Sequence, residues 1–580
     1  MSNLFMKTLN LHTDYIKFKP LKKAIKNIGE LSEAEKKEQH VKEALAVMTA
    51  VEKGDSNIKN VVEKLVESIK EIAEQINIKN IVLYPYAHLS SELASPQTAM
   101  DVLEGAEKIL KKSFNVVKAP FGYYKEFEMK VKGHPLSELS REFKIEGNEE
   151  ESELDEKERT RLWKIMSKNK VQVIRGKNDL KSNVELGRDL DLYIVNEIVG
   201  QGLPLLTPKG ASIKREIERF ITDEEIKRGY EHTSTPILAK SDLYKISGHW
   251  QHYKDDMFTM KVGKEEFALR PMTCPFQFVL YKRKPRSYKD LPKKYGEVAT
   301  LFRNEQSGEL RGLTRLRQFT LADGHIICTP EQMEEEFKNV MDLLNYIIKT
   351  FDIEGWYQFS KWDPKNENNK YVDNPEAWEK TQNSMKKILD NLKIEYVEKE
   401  GEAAFYGPKL DLQYKDVYGK EDTLITIQMD FALPDKFNLT YLDKNNKEKK
   451  PMVIHRSSTG ATERLMSYIL EKTQGSLPLW LSPIQVKIVT TSQNNDNYAK
   501  KINNKLIQNK IRCETDFSDD KIGKKVRNAY IEKAFYILTI GDKEAEENIV
   551  AIKQRGEKDV QTFGVDEFVE KVKGEIRERV

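Results

Sequence analysis

Cysteine is scarce in this chain: Cys274, Cys328 and Cys513 are the only three in 580 residues, and they lie far apart. An odd, dispersed set excludes a disulfide framework and points to a reducing compartment. No stretch reaches the ~18 consecutive apolar residues of a membrane span, and the opening "MSNLFMKTLNLHTDY" lacks the apolar run of a signal peptide. The chain therefore reads as cytoplasmic. Net charge is small as well, +3 from 96 basic and 93 acidic residues. That excludes a globally basic nucleic-acid binder and leaves any polyanion to be met by local patches. Internal repeats and low-complexity tracts are absent, which excludes a solenoid. What is present is 39% apolar and 33% charged residue, enough for packed cores under an ionised surface. The length exceeds what one core sustains and implies three or four domains.

Patterning sets the divisions. From Ile58 to Ile76 apolar residues recur at helical spacing, "NIVLYPY" reads as a strand, "SPQTAMDVLEGAEKILKKS" as a second helix, and "FNVVKAPFGYYKEFEMKVKG" as two strands around a Pro120–Gly122 turn. An α/β module over 1–145 is expected. The acidic run "EGNEEESELDEKERTRLW" opens an expected linker region, 146–195. Over 196–481, long helices stand beside strands such as "EVATLFRNE", "LRQFTLADGHIIC", "TLITIQMDFA" and "PMVIHRSST" without crossover helices between them, which predicts a mainly antiparallel sheet. Over 482–580, strands and helices alternate as in a small βαβ domain. The fold class is α/β, in several domains.

One segment is unusually rich in arginine. "LFRNEQSGELRGLTRLRQFT" places Arg303, Arg311, Arg315 and Arg317 near only two acids, Glu305 and Glu309. A guanidinium is a flat fork of donors suited to phosphate and carboxylate. Read from the residues alone, these are either surface charges paired with the two glutamates or the grip on an anion. Further on, "GATERLMSYILEK" sets Arg464 in the first turns of a helix that follows a glycine, where a phosphate could meet the amide ends. Three borderline-soft ligands, Cys274, His325 and His455, are expected on strands in this region and suit tetrahedral zinc with one open position. Their spacing alone is equally that of a buried thiol and two structural histidines, and His249 and His252 in "SGHWQHY" compete on the same grounds.

Pro236 in "YEHTSTPIL" after a long helix, then "FRNE", then Gly-x-x-Glu-Arg opening a late helix, resembles the motif order of class II aminoacyl-tRNA synthetases. Within that class, "RPMTCP", "FRNEQSGEL", "RQFTLADGHIIC", "AFYGPKLD", "IQMDF" and "VIHR", in order from about Leu203 onward, resemble the threonyl-tRNA synthetase family. The resemblance implies that 196–481 is the catalytic domain and 482–580 an anticodon-binding domain. It implies ATP with Mg2+ as a substrate, gripped by Arg303 and Arg464, with Arg315 toward the γ-phosphate, Phe319 under the adenine and Glu305 on the base or metal. It implies one Zn2+ per subunit on Cys274, His325 and His455. Around the metal it places a threonine pocket of Met272, Asp323, Tyr406 and Gln428, with Lys409 near the nucleotide, and it implies a homodimer acting on tRNA(Thr). Two residues depart from the family pattern: Leu321, where a polar residue is usual, and Phe276, where a glycine is usual.

Zinc chelation selects for a side-chain hydroxyl, so serine passes, and one methyl separates the two amino acids by only about 1–3 kcal/mol. A hydrolytic second site is expected. "YPYAHLSSELASP", "LHTDYIKF" and "APFGYYKEFEMKVKGHPLSELSR" resemble the archaeal editing domain of the same family, which is similar in fold to D-aminoacyl-tRNA deacylases. That resemblance names His88, Tyr124 and Lys125, with His134 and Glu138, as editing residues. In "DFSDDKIGKKVRNAY", Lys521, Lys524, Lys525 and Arg527 are the candidate tRNA contacts, or merely solubility charges. Two other classes stay open: an inactive paralogue that only binds RNA, and a synthetase for another amino acid such as proline or serine.

Overall fold

The computed structural model describes residues 4–25, 28–52, 58–90, 93–145, 156–166, 180–365 and 370–579. They fall into two compact units, Met1–Asp155 and Glu156–Val580. The acidic run expected to open a linker lies, through residue 155, outside the described residues.

The first unit is organised on one long strand, Leu4–Lys23, paired antiparallel with Gln39–Val51. Two shorter strands share its other edge, Glu138–Ile145 against the first half and Tyr123–Val131 against the second. Asn80–Pro85 and Asn115–Lys118 extend the sheet in parallel beyond Gln39–Val51. Alternation along Gln39–Val51 sends Leu45, Val47 and Val51 to a face covered by the helices Ile58–Gln75 and Pro96–Leu110. Ala44, Ala46 and Met48 go to the opposite face, with Phe18, Val82 and Tyr84. Ser95 caps the second helix, accepting from the Thr98 N–H with Pro96 at the first helical position. The two strands expected around Pro120–Gly122 form but part company. Asn115–Lys118 completes a parallel crossover through Pro96–Leu110, and Tyr123–Val131 pairs on the far side of the sheet.

The second unit contains an eight-stranded sheet in the order Tyr396–Lys399, Trp356–Ser360, Lys409–Lys415, Glu421–Asp430, Met452–Ala461, Gln318–Cys328, Lys293–Phe302 and Glu231–His232. Every pairing is antiparallel except at the two edges, as the absence of crossover helices predicts. One face is sealed by the helices Pro208–Lys227, Met333–Thr350, Pro375–Asn391 and Thr462–Thr473 over Ala322, Ile326, Ile425, Ile427, Met429 and Ile454. In "LADGHIIC" the alternate residues Asp323 and His325 consequently point to the other face, where the site lies.

The expected linker 146–195 is core in its last part. The helix Asn183–Asp189 carries a Ser182–Glu185 capping box, and Leu186, Leu192 and Tyr193 are buried against the catalytic helices. The C-terminal portion has its own sheet, in the order Cys513–Asp516, Val486–Thr490, Tyr536–Ile540, Ile549–Gln554 and Val560–Gly564, and its own core. It is nonetheless continuous with the catalytic body: Ile576 packs on both cores, and Arg512 reaches Glu216 at 3.2 Å.

Candidate active site

Sheet register, and no sequence spacing, assembles the site. Directly opposed residues share a face, and one row runs Ser360, Lys409, Gln428, His455, His325 and Tyr295 across neighbouring strands. Asp323 lies two residues before His325 and so on the same face. Over this row stands a cavity of about 680 Å3. Its walls include all of the catalytic, ATP, threonine and metal candidates: Arg303, Glu305, Arg315, Phe319, Arg464 and Lys409 at one end, and Met272, Cys274, Asp323, His325, Tyr406, Gln428 and His455 at the other.

Cys274, His325 and His455 bring one ligand atom each to within 4.8 Å of one another, and all three side chains are buried. His325 and His455 are cross-strand partners. Cys274, expected on a strand, instead opens the helix Cys274–Lys282, and Gln277 one turn on faces the same way. Gln277 Oε1 meets His325 Nδ1 at 2.6 Å, and Asp430 Oδ2 meets His455 Nε2 at 2.8 Å. Each imidazole is thus oriented through one nitrogen by a side-chain partner, the outer support that metal-binding histidines require. Asp430 is itself fixed by the Ala432 and Leu433 N–H groups at 2.8 and 2.9 Å. Burial keeps His325 well below the usual imidazole pKa, hence neutral, and pushes the Cys274 thiol well up. Two buried imidazoles, each with an outer partner, and a thiol that ionises only beside a cation are the donor set of a zinc site. His249 also lines the cavity, but its Nδ1 is engaged by Ser247 Oγ at 2.7 Å, and His252 stacks on Phe405. Neither joins the cluster among the described residues.

Beside this cluster, the Tyr406 hydroxyl donates to Gln428 Oε1, and Asp323 is buried, which raises its pKa. Leu321 lines the cavity, so that departure alters the pocket wall; Phe276 packs with Tyr244, Met257 and Ala268 outside the lining.

At the other end, Arg303 lies just past the strand Lys293–Phe302, with its guanidinium 5.1 Å from the Phe319 ring centre. The arginine-rich stretch is therefore mostly loop, 303–317, closed by an Arg311–Arg315 bridge. The two readings of its arginines divide residue by residue. Arg315 pairs with Glu305 at 2.8 Å and Glu309 at 3.4 Å, and Arg311 with Asp422 at 2.6 Å and Asp416 at 3.1 Å. Arg303 makes no ion pair with any described carboxylate and lines the cavity. Arg464, in the first turn of Thr462–Thr473, donates to the carbonyls of Thr314 (3.0 Å) and Thr423. Gly460 makes that approach feasible: its φ is +63°, and a Cβ there would sit 1.8 Å from Leu424 O. Lys409 is held by buried Asp411 at 2.7 Å. Gln277, Asp430 and Asp411 escaped the reading of the sequence. Only Gln277 left a signal there, three residues after Cys274.

In the first unit, Lys125 is half-buried with its ammonium donating to Pro120 O (2.8 Å) and Tyr123 O (3.0 Å), 5.1 Å from the Tyr84 ring centre. Burial lowers its pKa to about 8. Tyr84, Phe127 and Tyr86 form an aromatic cluster that His88 extends, its ring 5.5 Å from Tyr86. Tyr124 alternates to the opposite face and is exposed, under Lys22. His134 instead pairs with His12, Nε2 to Nδ1 at 2.7 Å, and Glu138 is opposite Leu11 while Lys125 is opposite Pro20. The five expected editing residues are therefore spread along the sheet, with Lys125 and His88 on the aromatic cluster.

In the C-terminal portion, Lys521, Lys524 and Arg527 are exposed, and Lys524 pairs with Asp520 at 2.9 Å. Lys525 is not a surface contact. It is 3% exposed, and its ammonium donates to Thr490 O at 3.2 Å and Asp516 O at 3.3 Å, tying its helix to the sheet.

An antiparallel sheet walled by helices on one side, with an arginine-framed cavity on the other, defines the core of a class II aminoacyl-tRNA synthetase. Three family models match in order: the archaea-specific editing domain of threonyl-tRNA synthetase over 6–143, the class II synthetase core domain (G, H, P, S and T) over 257–473, and an anticodon-binding domain over 485–575. The chain belongs to the threonyl-tRNA synthetase family: it is 34% identical to a solved structure of the RNA binding domain of threonyl-tRNA synthetase from Cryptosporidium parvum, covering 98% of that chain and 68% of this one at a TM-score of 0.65. A structure of putative threonyl-tRNA synthetase ThrRS-1 from Aeropyrum pernix matches at 25% identity and a TM-score of 0.60 over 69% of this chain and 97% of its own. Threonine–tRNA ligase of Clostridium botulinum is 54% identical over 397 residues, 68% of this chain. The chain spans 62% of the length of that relative and of its Clostridium perfringens counterpart, which is 51% identical.

Proposed function

We propose that the chain activates L-threonine with ATP and Mg2+ to threonyl-adenylate and esterifies it to tRNA(Thr). The observation that carries this is one cavity holding both a Cys/His/His cluster and an arginine with no carboxylate partner among the described residues. Cys274, His325 and His455 would hold zinc, which supplies a Lewis-acidic site with a position open to an amine and a side-chain hydroxyl together. Asp323 receives the threonine amine or hydroxyl, and Tyr406 with Gln428 closes the pocket. Arg303 draws the substrate carboxylate and the α-phosphate together and offsets the charge that grows as the carboxylate oxygen attacks phosphorus and pyrophosphate leaves. Phe319 and Arg464 frame the nucleotide. Arg315, now on Glu305, exchanges that partner for the γ-phosphate, and Glu305 is left for the adenine or Mg2+.

ATP–pyrophosphate exchange across a panel of amino acids tests this. Threonine-dependent exchange is the expected result; exchange with proline or serine alone would move the specificity, and none at all would support the inactive paralogue.

The first unit supports hydrolysis of seryl-tRNA(Thr). Two of the three ammonium protons of Lys125 are taken by carbonyls and one remains to meet a developing oxyanion. His88 would position the terminal ribose. The ammonium form of Lys125 is lost as pH rises through about 8, against about 10.4 for a free lysine. Enzyme-dependent deacylation should therefore fall between pH 7.5 and 9.5 after subtraction of spontaneous hydrolysis, and Lys125→Met should abolish it while threonine charging persists. A flat profile, or normal deacylation by that variant, would remove Lys125 from the role.

A homodimer is what membership of the family implies for this chain. Light scattering in solution would read the mass directly. No helix among the described residues is long and apolar enough to cross a membrane; a cytoplasmic setting is proposed from the scarcity of cysteine.

A further inference from the structure

We propose that the helix Pro208–Lys227 positions the nucleotide half of the cavity and is itself set in place by Arg512 and Arg579 of the C-terminal portion. That portion would then act on amino-acid activation even when no RNA is bound. The kinetic part of this inference rests on the activation reading above.

Toward the cavity, Lys214 Nζ contacts Thr320 Oγ1 at 2.6 Å and Glu463 Oε1 at 2.8 Å, while Glu463 Oε2 accepts the Thr320 N–H at 2.8 Å. Thr320 follows Phe319 and Glu463 precedes Arg464, so this knot ties together the two residues that frame the nucleotide. About three helical turns further on the same side, Glu225 pairs with Arg456 at 2.8 Å and accepts from Ser458 at 2.6 Å. One helix therefore holds three strand-or-helix segments of the cavity wall by buried or half-buried charges.

Away from the cavity, the same helix is gripped by the C-terminal portion. Glu216 meets Arg512 at 3.2 Å, and Glu224 meets Arg579 at 3.1 Å. Arg579 also donates to the Tyr346 hydroxyl at 2.5 Å and lies 4.4 Å from the Phe220 ring centre. Glu216 and Glu224 are 7% and 4% exposed, where charge pairs are weakly screened. Burial would raise the Glu224 carboxyl, yet Lys227, Arg228 and Arg579 hold it down at about 2. A helix is stiff along its axis, so loosening its outer grip is felt at Lys214.

The test uses the full chain with Arg579→Ala, Arg579→Lys and Lys214→Met, and needs no tRNA. Arg579→Ala is expected to lower the turnover of threonine-dependent ATP–pyrophosphate exchange about fivefold, with the KM for threonine unchanged and partial recovery in Arg579→Lys. Hydrogen exchange at the Thr320 amide should rise about tenfold in Arg579→Ala while amides of the first unit keep their protection. Combined with Lys214→Met, the kinetic loss should fall short of the product of the two single losses. Parental turnover and parental Thr320 protection in Arg579→Ala would overturn the inference, as would multiplicative losses. If the parent itself shows no threonine-dependent exchange, the activation reading fails, and Thr320 protection still decides whether the helix positions the wall.

Discussion

Cys274→Ser should leave the chain folded, without its metal, and unable to activate threonine. The substitution changes volume little in a buried site, so packing is spared. A serine hydroxyl stays protonated where the thiolate would bind, and a hard oxygen donor suits zinc less well than sulfur. Loss of an outer-shell partner alone costs roughly 10–100-fold in metal affinity, and loss of a ligand should exceed that. Elemental analysis should read one zinc per chain in the parent and a small fraction of that in the variant, with threonine-dependent exchange falling more than about a hundredfold. Gln277→Leu, which removes the partner of His325 Nδ1, should land between the two. Full zinc content in Cys274→Ser would sink the ligand assignment, and retained exchange in a zinc-free variant would sink the role of the metal.

Arg303→Gln should abolish adenylate formation at no expense in stability. Among the four arginines of the segment it stands apart. Arg311 and Arg315 have carboxylates and Arg317 donates to Glu305 O at 3.1 Å, whereas Arg303 faces the cavity over Phe319. A preorganised donor aimed at developing charge is worth about 2.7–4 kcal/mol, a factor of 10²–10³ in rate. Because Arg303 lines the cavity and makes no ion pair with a described carboxylate, removing it should leave the melting temperature the same or higher, the usual relation between an active site and the stability of the fold around it. Arg311→Gln should do the opposite, lowering stability by breaking contacts to Asp416 and Asp422. Near-parental exchange in Arg303→Gln would reject its role.

The amino-acid order by itself determined the element types, the antiparallel character of the central sheet and the candidate chemistry. Those depend on local properties: helical spacing in "VVEKLVESIKEIA", strand runs without crossover helices, and residue types that can bind phosphate or zinc. It did not determine neighbours. That His325 and His455 meet follows from strand order, since Gln318–Cys328 and Met452–Ala461 are adjacent in the sheet while more than a hundred residues of chain separate them, and Cys274 joins them from the start of a helix. The same ordering spread the editing candidates, because Lys125 and Glu138 pair with opposite halves of one long strand. Burial, too, was decided only in three dimensions. Lys525 looked like any lysine of a basic helix, and the fold turned its ammonium inward to two carbonyls. Asp430 and Asp411 had no local mark, since a carboxylate gains its role from the imidazole or ammonium that the register sets opposite it. Local sequence encodes what each residue can do; long-range pairing of strands decides what it does it to.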